Sequence, residues 1–144
     1  MRKLILLGLV VLLAAGCGRN PEPGSAGAPP VAPALVIERF LQAVNAQDLE
    51  TMARLFGTEE GSILNRDPRP EVEKRMYTLA LILRHQDYRL EGERPVPGRL
   101  GQAIQLVVGM RFPNRQVSVP YTLVRTKTGH WLIEQIDVER ITGR

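Results

Sequence analysis

Few side chains in this sequence could do chemistry, and their spacing limits what they could do. There is one cysteine, Cys17, and two histidines, His85 and His130; HExxH, HxH and CxxC pairs are all missing. A metal site would have to recruit carboxylates from distant segments, so neither a metal nor a cofactor is expected. His85 falls where a helix should end and suits the negative end of its dipole, while His130 follows a turn and is expected at the surface. Glu59 and Glu60 are neighbours whose side chains point apart, which reads as a solvated loop pair rather than an acid and a base. The run Gly57-Thr58-Glu59-Glu60-Gly61 lacks the lysine of a phosphate loop, and its acids would repel a phosphate. No GxSxG or GxGxxG occurs, so no catalytic residue is assigned.

The cysteine is explained by its position. Arg2 and Lys3 precede twelve uncharged, mostly aliphatic residues, Leu4 to Ala15, and the run stops at Gly16-Cys17-Gly18-Arg19. A membrane-crossing helix needs about 20 apolar residues, so this segment reads as a signal peptide. Leu13-Ala14-Ala15-Gly16-Cys17 resembles the bacterial lipobox, in which small residues admit the peptidase and the cysteine thiol receives diacylglycerol. The resemblance implies removal of residues 1–16 and a lipid anchor on Cys17 in the cell envelope. Gly18, where an aspartate would resemble an inner-membrane retention signal, favours the outer membrane in an organism that has one.

Charge excludes one partner class. Without Arg2 and Lys3 the chain keeps 17 basic against 15 acidic side chains, and these are interspersed, as in Glu71-Val72-Glu73-Lys74-Arg75. No basic stripe with interleaved aromatics occurs, so nucleic-acid binding is not expected. Sixteen of the 19 basic residues are arginine, which reads as a GC-rich genome more readily than as a site.

The elements that must position any site begin after a linker. Gly18 to Pro33 holds five of the 11 prolines and almost no large apolar residue, so residues 17–33 are expected to form a disordered tether. Extended at about 3.1 Å per residue, it would reach about 50 Å. The hydrophobic share of 44% supplies a core for one domain, residues 34–144. Ile37, Phe40, Leu41 and Val44 at helical spacing predict a helix from Pro33 to Ala46. Asp48 is placed to cap a short second helix stopped by Gly57, and a turn-rich stretch from Thr58 to Arg69 follows. Pro70 opens a third helix with Val72, Met76, Leu79, Ala80 and Leu83 on one stripe, ending near His85.

Period-two alternation then predicts antiparallel strands. Tyr88 to Arg94 is the first; Ile104, Leu106, Val108, Met110 and Phe112 share a face of the second, and Val117, Val119, Tyr121 and Leu123 a face of the third. Trp131 to Ile141 is the last, after the turn Lys127-Thr128-Gly129. Pro120 cannot donate to a ladder, which predicts a bulge or an edge there. The class is therefore α+β, with three N-terminal helices on a curved antiparallel sheet of about four strands.

This order, with the stretch from Ile37 to Glu50, Leu55-Phe56 and Gly129-His130-Trp131-Leu132-Ile133, resembles the nuclear transport factor two-like superfamily, the cone fold that includes ketosteroid isomerases. The resemblance spans roughly residues 34–144 and implies a cone that hosts isomerases, dehydratases, ligand binders and interaction modules alike. Where the isomerases place a tyrosine on the first helix this sequence has Phe40, and an ungapped register puts Leu64 where their general base should stand. Neither can polarise a carbonyl or take a proton, which disfavours the isomerase reaction.

Phe40, Tyr77, Tyr121 and Trp131 are the aromatic candidates for lining a pocket, with core packing as the alternative. The sequence thus points to a noncatalytic anchored domain that binds a small apolar ligand or a protein partner, including a second copy through the outer face of the sheet. The rival is an envelope enzyme of the same superfamily whose polar groups a one-residue strand slip would turn inward. Mass spectrometry of the native product should find residues 1–16 absent and acyl chains on Cys17. Cys17→Ser should move the protein from the membrane fraction to the soluble one.

Overall fold

The computed structural model describes residues 32–143, so the signal peptide, Cys17 and nearly all of the linker lie outside the described residues. Helix α1 spans Pro33–Ala46, with its proline in the first turn. Val36, Ile37, Phe40, Leu41 and Val44 form its buried stripe. Gln47 ends the helix in the left-handed region at φ 55°, its N–H reaching the Val44 carbonyl at 3.1 Å. Asp48 then caps α2, Leu49–Arg54, accepting from the Thr51 N–H at 3.0 Å and the Thr51 hydroxyl at 2.6 Å. These bonds to Thr51 hold the Asp48 carboxyl below the usual range.

Gly57 does not stop this helix as expected. Leu55 is the C-cap, and Gly57 belongs to β1, Gly57–Thr58, paired antiparallel with β2, Gly61–Ser62. A side chain at Gly57 would collide with the Gly61 carbonyl, so the glycine serves close approach rather than helix termination. The stretch expected to be turns therefore contains this hairpin and a 3₁₀ turn, Ile63–Asn65.

Helix α3 is Arg69–Leu83 and stops two residues short of His85. His85 is buried, contrary to the surface contact expected at a helix dipole, because Asn45 of α1 holds its backbone in both directions. Asn45 Oδ1 accepts from the His85 N–H at 3.2 Å, and Asn45 Nδ2 donates to the His85 carbonyl at 3.1 Å. The imidazole Nδ1 lies 3.0 Å from the Leu83 carbonyl and the ring meets Tyr88 edge-on at 5.5 Å. One asparagine thus fastens the end of α1 to the passage from α3 into the sheet.

The sheet is an antiparallel meander of β3 Asp87–Pro95, β4 Ala103–Phe112, β5 Arg115–Arg125 and β6 Trp131–Ile136, in that order. With the helices packed on one face, the domain is α+β. Bulges interrupt the pairing at Leu90/Gly92 and at Thr122/Leu123, and each turns the strands more sharply than regular pairing would. Pro120 lies two residues before the second bulge. Its carbonyl accepts from the Asp137 N–H at 3.0 Å, so its ring nitrogen also faces the β6 side, just where β6 has ended. The last strand is shorter than expected for the same reason: after Ile136 the chain turns into α4, Glu139–Thr142, which buries Ile141 against the core.

Strand β3 is an open edge, and backbone alternation identifies its free groups. The Arg125 N–H bonds the Gln102 carbonyl at 2.7 Å, so even-numbered β4 positions face β5 and odd-numbered ones face β3. Asp87 and Arg89 are thereby bonded, which leaves Tyr88 and Leu90 pointing away from the sheet. The Tyr88 N–H is capped by the Asp87 carboxylate at 2.9 Å, the bulge follows Leu90, and Pro95 has no N–H.

Met110, Val108, Leu106, Val119, Tyr121 and Leu123 line the concave face and meet α1 and α3 in one core. Tyr121 is fully buried, its hydroxyl donating only to the Met110 sulfur at 3.3 Å, and burial pushes its phenol pKa far up. Removing this hydroxyl in Tyr121→Phe should change stability by no more than about 1 kcal/mol. Met110→Leu should cost about 1–3 kcal/mol by orphaning the hydroxyl, and markedly less in a Tyr121→Phe background. Urea unfolding of the four proteins gives the comparison.

Candidate functional site

The four aromatic candidates do not converge on one cavity. Phe40 and Tyr121 are wholly buried in the core, Phe40 lying 6.4 Å from the Phe56 ring. Trp131 is half-buried at the start of β6, and Tyr77 is 51% exposed on the outer side of α3. None of them lines the larger surface depressions among the described residues. Cys17 lies outside those residues.

A concave surface lies at one end of the sheet, where the β1–β2 hairpin, the β3–β4 turn and the β5–β6 turn meet. Two adjoining depressions, about 260 and 360 Å³, share Glu59, Thr126 and Lys127. Ser62, His130 and Leu132 add to the first, and Gly101, Gln102 and Arg125 to the second. The hairpin reaches this position because Gly57 lets its strands close tightly, and the Lys127 N–H then bonds the Glu59 carbonyl at 3.2 Å. Lys127 Nζ also contacts Glu60 at 2.7 Å, a bond that raises the lysine pKa. On the β5–β6 turn Gly129 takes φ 87°, and the Thr126 hydroxyl accepts from the His130 N–H at 3.0 Å.

Among the described residues, no nucleophile and base at this end are hydrogen-bonded to each other. The Ser62 hydroxyl donates to the Ala53 carbonyl at 2.7 Å and accepts from the Leu64 N–H at 3.3 Å, which caps the 3₁₀ turn rather than arming a nucleophile. His130 is exposed, and its ring makes no hydrogen bond among the described residues. Among those residues, too, no group of three or more His, Cys, Asp or Glu side chains could hold a metal ion. The surface presents carboxylate, guanidinium, ammonium and hydroxyl groups.

Glu59 and Glu60, assigned no role from the sequence, therefore sit on the rim of this concave surface. The β3–β4 turn beside them is pinned by Arg99, whose guanidinium bonds both oxygens of Glu134 at 2.6 and 3.2 Å across the outer face. Ala103, Val124 and Leu132 are buried on that same face. The glycines and prolines of the turn are visible in the sequence, but Glu134 is 35 residues from Arg99 and no local signal links them.

A second clasp crosses the outer face from the bulge. Glu91 folds over Gly109, where any side chain would displace it, and accepts from the Ser118 hydroxyl at 2.6 Å. That bond, followed by Arg89, holds the Glu91 carboxyl below its ordinary range.

No protein-family model matches this sequence, and no curated protein matches it. Among solved structures the chain is similar to a crystal structure of a de novo designed protein with a curved β-sheet, at 13% identity and a TM-score of 0.46. That match covers 72% of this chain and 94% of the designed one.

Because the folded-state pKa of Glu91 is depressed, the clasp contributes fully above the ordinary glutamate value and is lost as pH falls through the lower, folded value. Ser118→Ala should move the Glu91 titration, followed by carboxyl-carbon NMR, upward towards the ordinary value. An unchanged midpoint would show that the hydroxyl is not what holds the carboxylate.

Proposed function

We propose that this chain is a noncatalytic, lipid-anchored binding module of the cell envelope. It is built on a nuclear transport factor two-like cone and held to the membrane through Cys17 and its linker. The observation that carries this reading is the filled interior. Phe40, Met110 and Tyr121 occupy the space between α1 and the concave face with no exposure to solvent. A small apolar ligand would need the volume these side chains fill, so a protein partner on the surface is favoured over a ligand inside the cone.

Other features support the same choice. Phe40 offers no donor, and Leu64 is half-buried beside the core where the isomerase base would stand. Arg54, Arg66, Arg75, Arg89, Arg99, Arg111 and Arg140 each pair with a carboxylate, which leaves little field for nucleic acid. Self-association through the outer sheet face would have to compete with the Arg99–Glu134 and Glu91–Ser118 clasps. The lipobox resemblance argues for the envelope, and Gly18 for the outer membrane where there is one.

Cross-linking in intact cells, followed by purification from detergent extracts, tests the proposal. Wild-type chain should yield defined cross-linked species that Cys17→Ser loses along with its membrane location. An anchored wild-type chain recovered alone, with no cross-linked protein and no copurifying lipophile in its native mass, would sink the proposal.

A further inference from the structure

We infer that Asn45 and His85 form an acid-released latch, closed while the His85 ring is neutral and opened by its protonation. The inference rests on the fold alone and not on what the domain binds. Among the described residues His85 and Tyr121 are the buried ionisable side chains, and of these two types only histidine changes charge in mild acid. The hydrogen bonds around the ring fix which form fits. Its Nδ1 lies 3.0 Å from the Leu83 carbonyl, which has no hydrogen to give, so Nδ1 carries one. Its Nε2 lies 3.4 Å from Asn45 Nδ2, an amide nitrogen that only donates, so Nε2 must accept. The amide cannot turn over to offer its oxygen instead. Its Oδ1 accepts from the His85 N–H at 3.2 Å, and its Nδ2 also donates to the His85 carbonyl at 3.1 Å. The ring that fits is therefore the neutral one with its hydrogen on Nδ1.

Protonation puts a second N–H on the ring, aimed at the Asn45 amide nitrogen. Two donors then face each other in a part-buried site, and one of them must yield. Either the ring leaves, giving up the Leu83 carbonyl and its edge contact with Tyr88, or the amide rotates and surrenders both backbone bonds. In each case the end of α1 comes loose from the passage between α3 and β3. The charges of the neighbouring elements offset one another. Tyr88 of β3 meets the ring, and burial, then Glu38 of α1 and Asp87, raise the pKa of its phenol. Arg84 precedes His85 at the end of α3, and Arg111 of β4 pairs with Asp87 at 3.5 Å. Two carboxylates are thus balanced by two guanidinium groups, which leaves the hydrogen bonds to select the charge state of the ring. The latch is intact above the ordinary histidine value, about 6.5, and is lost as pH falls below it.

Nitrogen NMR of the full-length chain in detergent micelles tests the ring directly: at neutral pH the His85 imidazole should carry hydrogen on Nδ1 and none on Nε2. Hydrogen exchange tests the latch. The protection factor of the His85 amide, which Asn45 holds, should fall about tenfold between about pH 7.5 and about pH 5.5. His85→Gln keeps a donor and an acceptor but takes up no proton, so protection at residue 85 should change less than about threefold over that range. Asn45→Asp, whose carboxylate accepts from a protonated ring, should reverse the direction and raise protection in acid. It carries the comparison should circular dichroism show His85→Gln unfolded. Hydrogen on Nε2 of the neutral ring overturns the inference, as does protection indifferent to pH. An equal loss in wild type and His85→Gln overturns it too, by assigning the acid response to another group.

Discussion

The concave face of a bent four-stranded sheet has to be filled, and most of this structure follows from how that is done. One stripe of α1, from Val36 to Val44, lies against Leu106, Val108, Met110, Val119 and Tyr121. The corner at Gln47 and Asp48 turns the chain so that α2 and α3 complete the wall, and Asn45 fastens that wall to the start of β3 through His85. Ile141 on α4 buries against the same core from the C-terminal end. Tyr121 takes the centre with a sulfur as its only polar partner. The side chains of this sequence fill the space between helices and sheet, and the concave surfaces described lie outside that core.

The parts of this arrangement set by local periodicity were legible in the sequence. The stripe of α1, the cap at Asp48, the proline opening α3 and the alternation of β4 and β5 all rest on residues within a turn or two of one another. What could not be read depends on partners distant in the chain. Gly57 resembles a helix stop until the Gly61 carbonyl is seen against it. His85 resembles a dipole partner until Asn45, 40 residues earlier, takes both of its backbone groups. The apolar residues from Trp131 to Ile141 alternate well enough for one strand, yet Ile141 reaches the core by a helical turn once Asp137 has bonded back to Pro120.

The candidate surface was less legible than the fold because its elements contribute single residues. Glu59 and Glu60 come from a hairpin of two-residue strands, Gln102 from the end of one turn, and Arg125 and Lys127 from the start of another. Sequence patterns report repetition, and nothing repeats here. The aromatic side chains, by contrast, drew attention by their size, and size is what a filled interior uses.

The exposed border of β3 carries a consequence for domains held at high concentration. Identical domains collide more often as their concentration rises, and an unguarded strand would turn those collisions into growing ribbons. The capped Tyr88 amide, the kink after Leu90 and the imino nitrogen of Pro95 deny a neighbour the continuous row of donors that such growth requires. Three small local features thus oppose edge-to-edge growth of the sheet.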